Sequence, residues 1–212
     1  MKPAKKRKNP LRLGVLASGV GSNFQAIIDA IAAQRLDAEV ALLLTNNPTA
    51  KAIARAEEFG IPAVVEDHRL TKDRQAYGEK LALHLQQAGV DLVVLAGFLR
   101  ILPETFLRAF PTKTINIHPA LLPAFPGLDV IEKAFNQGCK VTGVTVHFVD
   151  AGVDTGPIIA QRSVPILEMD TLETLKTKIH ACEHEIYPEV IQWFAEERVV
   201  VSNHRVHIRG ND

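Results

Sequence analysis

Apolar residues along the 212-residue chain gather into two kinds of run that alternate. Residues 11–17, 40–44 and 91–96 (LRLGVLA, VALLL and DLVVLA) are short and apolar at nearly every position, as suits strands buried on both faces. Between them, apolar residues recur every three or four positions. Residues 22–34 carry Phe24, Ile27, Ile28 and Ile31 on one helical face, residues 48–59 run up to Gly60, and residues 71–88 run up to Gly89. Each reads as a helix, and glycine just past its end is a common stop. Residues 62–65 add a short strand. Strands and helices in this alternation predict an α/β fold: a Rossmann-like, mostly parallel sheet with helices on both faces.

After Pro103 the pattern changes. A short helix is expected over Glu104–Ala109 and a strand over 114–117, followed by a loop that holds Pro119, Pro123, Pro126 and Gly127. Residues 141–149 and 158–164 alternate like antiparallel strands joined through a turn. Residues 170–195 form a long helical stretch, and 199–208 a closing hairpin. No repeat and no flexible linker divides the chain, so residues 11–212 are expected to form a single domain.

Composition refines this picture. With 47% hydrophobic and 23% charged residues, the chain has the balance of a soluble globular protein. It contains no apolar run long enough to span a bilayer and no secretory leader, and its two cysteines, Cys139 and Cys182, are too few for a disulfide framework. A cytoplasmic protein is therefore expected. The formal charge of zero hides an asymmetry. Five of the 24 basic residues lie within positions 1–10, so the rest of the chain carries 19 basic against 24 acidic residues. An acidic body speaks against nucleic acid as a partner, and the basic segment 1–10 is expected to be a disordered tail.

Four places could carry chemistry. The turn after the first strand, Ser18-Gly19-Val20-Gly21-Ser22-Asn23-Phe24, offers backbone N–H groups and a helix N-terminus to an anion. A dinucleotide fingerprint would want glycine at Phe24 and an acid near Asn46, so a mononucleotide-type phosphate site or a plain packing turn fits better. Asn116 and His118 lie two apart on a strand and face one way, either as structural groups at a strand end or as an amide donor and an imidazole suited to acyl chemistry. Asp150 and Asp154 lie in a glycine-rich loop, either as turn formers or with one carboxylate orienting a histidine. His180-Ala181-Cys182-Glu183-His184 matches a zinc-binding spacing, although a solvated helix face gives the same pattern.

Taken together, in this order, these segments resemble the folate-dependent formyltransferases, and among them those acting on glycinamide ribonucleotide. The resemblance runs over about residues 11–200 through SGVGSNFQAI, VLAGFLRIL, INIHPALLP, GVTVHFV and DTGP, with Glu183-His184 and Tyr187-Pro188 beyond. It implies formyl transfer from 10-formyltetrahydrofolate, a co-substrate, to a primary amine of glycinamide ribonucleotide in purine synthesis, without a metal and without membrane or nucleic-acid partners, by a monomer or homodimer. It further implies Asn116, His118 and Asp154 as catalytic residues. Gly21, Ser22, Asn23, His180 and Glu183 would lie on the ribonucleotide side. Arg74, Leu99, Arg100, Ile101, Leu102, Asn116 and the loop Asp150, Ala151, Gly152, Val153 and Asp154 would lie on the folate side. Leu99 stands where the family often has methionine, a near volume-conserving exchange. Related formyltransferases that act on RNA, or that hydrolyse the folate, carry a further domain for which this chain is expected to have no room.

Overall fold

A computed structural model of the chain describes residues 9–210. Residues 1–8, most of the expected disordered tail, lie outside the described residues, as do 211–212. The element order is β1 (Leu11–Leu16), α1 (Ser22–Ala32), β2 (Ala38–Thr45), α2 (Ala52–Glu58), β3 (Ala63–Val65), α3 (Arg74–Gln87), β4 (Leu92–Leu95), α4 (Glu104–Ala109) and β5 (Thr114–His118). There follow α5 (Val130–Asn136), β6 (Val141–Phe148), β7 (Ile158–Pro165), α6 (Leu172–Ala195), β8 (Val199–Ser202) and β9 (Arg205–Ile208).

Seven strands form one sheet in the order β3-β2-β1-β4-β5-β6-β7. The first five are parallel, and β6 and β7 run antiparallel to their neighbours. Alternation sorts the apolar side chains of the central strands to two faces. Leu13, Val15, Leu92 and Val94 join one core with α1 and α6, while Leu16, Val93 and Leu95 join another with α3 and α4. Position 14 lies on the second face by the same alternation, and it is glycine because α3 crosses there: a Cβ would come within 2.4 Å of Leu85 Cδ2. Chain order reverses between β1 and β4, and the segments leaving their carboxyl ends part there to opposite faces. Open sheets of this kind present their ligand crevice at that point.

The elements fall where the pattern put them, with local corrections. The second helix begins at Ala52 and not at residue 48, because Asn47 Oδ1 accepts from the Thr49 N–H at 3.1 Å and closes an Asx turn in place of a helical one. The third begins at Arg74, where Asp73 caps it by accepting the Gln75 N–H at 2.8 Å. The first stops at Ala32, with Gln34 left-handed at φ 56°. Helix α5 was not anticipated: it has only seven residues and follows a loop rich in proline and glycine.

Helix α6 is tied to the sheet by Tyr187, fully buried, whose hydroxyl reaches the Leu95 carbonyl at 2.8 Å and the Ile115 carbonyl at 3.2 Å. Burial and the nearby Glu183 push that phenol well above its ordinary pKa, so it stays a donor. Tyr187→Phe leaves two buried carbonyls without this partner and is expected to destabilise the fold by about 1–3 kcal/mol. Denaturant melts of the two proteins measure it, and an unchanged midpoint would show that the strands hold those carbonyls without help.

Candidate active site

A cavity of about 1080 Å³ opens at the carboxyl ends of β1, β4 and β5. Asn116 and His118, both on β5, project into it from the same side of the strand, as the two-residue period requires. Strand β6 runs antiparallel beside them and pairs His147 with Asn116. The loop after β6 then brings Asp154 over both histidines. Its Oδ2 lies 3.5 Å from His118 Nδ1 and accepts the Gly127 N–H at 2.9 Å, while its Oδ1 lies 3.6 Å from His147 Nε2. Asp154 adopts φ 55°, a left-handed conformation that aspartate tolerates better than most residues. Burial acts to raise its pKa, but the His147 and Gly127 hydrogen bonds and the two neighbouring imidazoles outweigh that and hold the carboxyl below its ordinary range.

The histidines differ in their bonding. His118 Nε2 is 2.8 Å from the Phe125 carbonyl, and its Nδ1 faces Asp154, so both nitrogens meet acceptors and the ring is served at both only when both carry hydrogen. His147 Nδ1 lies 2.8 Å from the Phe148 carbonyl and donates to it, while Nε2 stands between Asp154 Oδ1 and Asn116 Nδ2, 3.2 Å from the latter: with a hydrogen it faces the carboxylate, and without one its lone pair accepts from Asn116. The second Asn116 N–H has no other protein partner among the described residues. The loop that leads to Phe125 is anchored a few residues earlier, where Thr145 Oγ1 accepts the Leu122 N–H at 3.1 Å and donates to the Ala120 carbonyl at 2.7 Å.

The opposite end of the cavity is built on α1. No side chain caps its first turn, and Gly21 precedes it at φ 75°. Glu183, 3% exposed, accepts from Asn23 Nδ2 at 3.3 Å and lies 2.9 Å from His180 Nδ1. That hydrogen bond, against the opposing effect of burial, raises the His180 pKa and favours a cation near the turn. Asn23 Oδ1 is buried without a protein partner.

The model of the formyl transferase family matches residues 11–191. The chain belongs to the formyl transferase family. Among relatives, it is 47% identical over 181 residues to the phosphoribosylglycinamide formyltransferase of Bacillus subtilis, covering 85% of this chain and 93% of that one. Glycinamide ribonucleotide transformylase 1 from Symbiobacterium toebii superposes with a TM-score of 0.92 at 48% identity, covering 95% of each chain. The phosphoribosylglycinamide formyltransferase of Coxiella burnetii, solved in complex with CHES, gives 0.91 at 40% identity, again over 95% of each.

In this formyl transferase fold, the residues expected on the ribonucleotide side, Gly21, Ser22, Asn23, His180 and Glu183, meet at one end of the cavity. Arg74, Leu99, Arg100, Ile101 and Leu102 line it elsewhere together with Asp150, Gly152 and Val153, while Ala151 is exposed and off the wall. The H-x-x-E-H spacing is put to another use: Glu183 is shared by His180 and Asn23, and His184 stacks on His180 with ring centroids 6.5 Å apart. Sequence reasoning missed His147 as a site residue, together with Gly127 and Lys176, which also line the cavity. The signal for His147 was present in the alternation of the sixth strand, but its partner Asn116 is set by strand register, which a single sequence does not display.

Proposed function

We propose that the protein transfers the formyl group of 10-formyltetrahydrofolate to the primary amine of glycinamide ribonucleotide. The observation that carries this reading is the Asn116, His118, Asp154 cluster at the middle of a cavity with an anion-suited turn at one end and an apolar wall at the other. The ribonucleotide phosphate would meet the N–H groups of the Gly21-Ser22-Asn23 turn and the helix dipole behind them, with His180 adding charge. The exposed apolar side chains of Leu99, Ile101 and Val153 would cover the flat pteridine end of the folate.

The amine nitrogen attacks the formyl carbon, and the carbonyl oxygen becomes an oxyanion. Asn116 donates its unused N–H to that oxygen and the His118 ring lends positive charge beside it. A preorganised donor of this type is worth roughly 3 kcal/mol in the transition state. The attacking nitrogen must lose one proton and the departing folate nitrogen must gain one. Asp154, held ionised by its neighbours, accepts the first and supplies the second as the old carbon–nitrogen bond breaks. The products are a formamide and tetrahydrofolate. Work in the cytoplasm is supported by the free thiols Cys139 and Cys182, and among the described residues no helix is long and apolar enough to cross a membrane.

An absorbance assay with 10-formyl-dideazafolate and glycinamide ribonucleotide tests the reaction. Deformylation of the folate should require the ribonucleotide and yield one formylated amine per folate consumed. Deformylation at the same rate without the ribonucleotide would make the protein a hydrolase and remove the transfer reading.

A further inference from the structure

Segment 97–101 forms part of the cavity wall yet belongs to no helix or strand. Phe98 is buried in the core beneath α3 and α4, but the two apolar side chains that follow it and face the cavity stand in the open, Leu99 at 68% and Ile101 at 55% exposure, so packing does not hold those two in place. The backbone does. Ser18 N–H donates to the Gly97 carbonyl at 3.0 Å, Leu99 N–H donates to Ser18 Oγ at 2.9 Å, and Arg74 Nη2 donates to the Ile101 carbonyl at 3.3 Å. Behind Ser18 stands Asn46, also buried, whose Oδ1 is 2.6 Å from the serine hydroxyl and whose Nδ2 faces His68 Nδ1 at 3.4 Å. A hydroxyl has one hydrogen. With a lone pair taken by Leu99 N–H, that hydrogen goes to Asn46 Oδ1, which leaves the Asn46 amide to donate to His68. The bonds therefore run in one direction, each polarising the next.

We propose that Ser18, acting through the Leu99 backbone N–H and backed by Asn46, is a positioning residue for the wall that receives the folate. This rests on the formyl folate reading above. A wall ordered in advance spares the ligand the entropy cost of fixing it on binding. Ser18 opens the stretch that leads to Gly21-Ser22-Asn23, the residues assigned to the ribonucleotide, but the intervening backbone has separate anchors: Ala52 N–H donates to the Gly19 carbonyl at 3.1 Å and Arg55 Nε to the Val20 carbonyl at 3.0 Å. Loss of the hydroxyl alone therefore acts on one substrate.

The test combines kinetics with amide exchange on Ser18→Ala, Asn46→Ala, the double variant and Ser18→Thr, which keeps a hydroxyl. Ser18→Ala should raise the folate KM about tenfold while the ribonucleotide KM and kcat stay within about threefold, because pre-ordering is lost on one side only. The double variant should be no worse than Ser18→Ala by more than about twofold, since both act through one chain of bonds, and Ser18→Thr should recover most of the loss. In the protein without substrates, the Leu99 amide should exchange at least about tenfold faster in Ser18→Ala while β1 amides keep their protection. Unchanged Leu99 exchange, or an equal rise in both KM values, overturns the proposal. The exchange measurement needs no folate, so a wild-type protein that binds no folate analogue would sink the functional reading separately from the clamp.

Discussion

His118→Ala and Asp154→Asn are each expected to lower kcat by at least about 100-fold with both KM values nearly unchanged, because groups that act mainly on developing charge show their loss in turnover. The two residues sit on opposite sides of one 3.5 Å contact, so removing either disables the other. The double variant should therefore lose far less than the product of the single losses. Multiplicative losses would mean that His118 and Asp154 act independently. Asp154→Asn has a second readout. The native carboxyl is held below its ordinary pKa, so its contribution to stability is complete above the ordinary value and fades as pH falls through the depressed one. The amide variant lacks that contribution at neutral pH, and its stability should fall less steeply on acidification. Thermal melts from neutral to acid pH measure this, and parallel curves for both proteins would show that the charge does not help hold the loop.

The parts of this protein that were legible in its sequence are those set by local period and by β-strand ends. The buried runs at residues 11–17 and 91–96 could only be interior strands, and Asn116 and His118 face together because a strand alternates. Helix α5 was not legible because its two turns are too short to establish a 3.6 period and it opens on a left-handed Asp129 without a side-chain cap, whereas the comparably short α4 is marked by Pro103 before it and Glu104 in its first turn. The bonding states in the site were hidden for a different reason. His118 looks like a free proton carrier in sequence, yet the carbonyl of Phe125 occupies one nitrogen and Asp154 faces the other. Phe125 supplies only a backbone atom, so residue type carries no sign of it. The resemblance to formyltransferases placed Asp154 beside His118, but neither it nor the spacing assigned a role to His147, which shares that carboxylate and binds Asn116.

The two glycines of the first turn separate by environment, and this decides how the phosphate reading can be tested. Gly21 has φ 75°, and a Cβ there would meet Ala52 Cβ at 3.0 Å and its Cα at 3.3 Å. A valine at this position is strained at a left-handed backbone, at about 1–3 kcal/mol, and also crowds α2. Gly21→Val should therefore raise the ribonucleotide KM at least about tenfold and lower the melting temperature by several degrees, the first following from loss of the N–H cradle and the second from strain. Such a result alone does not separate ligand approach from packing. Gly19 does separate them: it lines the same cavity, and a Cβ there meets no atom within 4 Å. Gly19→Val should leave the melting temperature within about 2 °C, since its Cβ stands in open space, yet it places a branched side chain where the proposed phosphate site needs close approach of the backbone. Its ribonucleotide KM should rise severalfold while its folate KM stays near the wild-type value. A Gly19→Val protein with both KM values unchanged would move the phosphate away from this turn and leave Gly21 with a packing role alone.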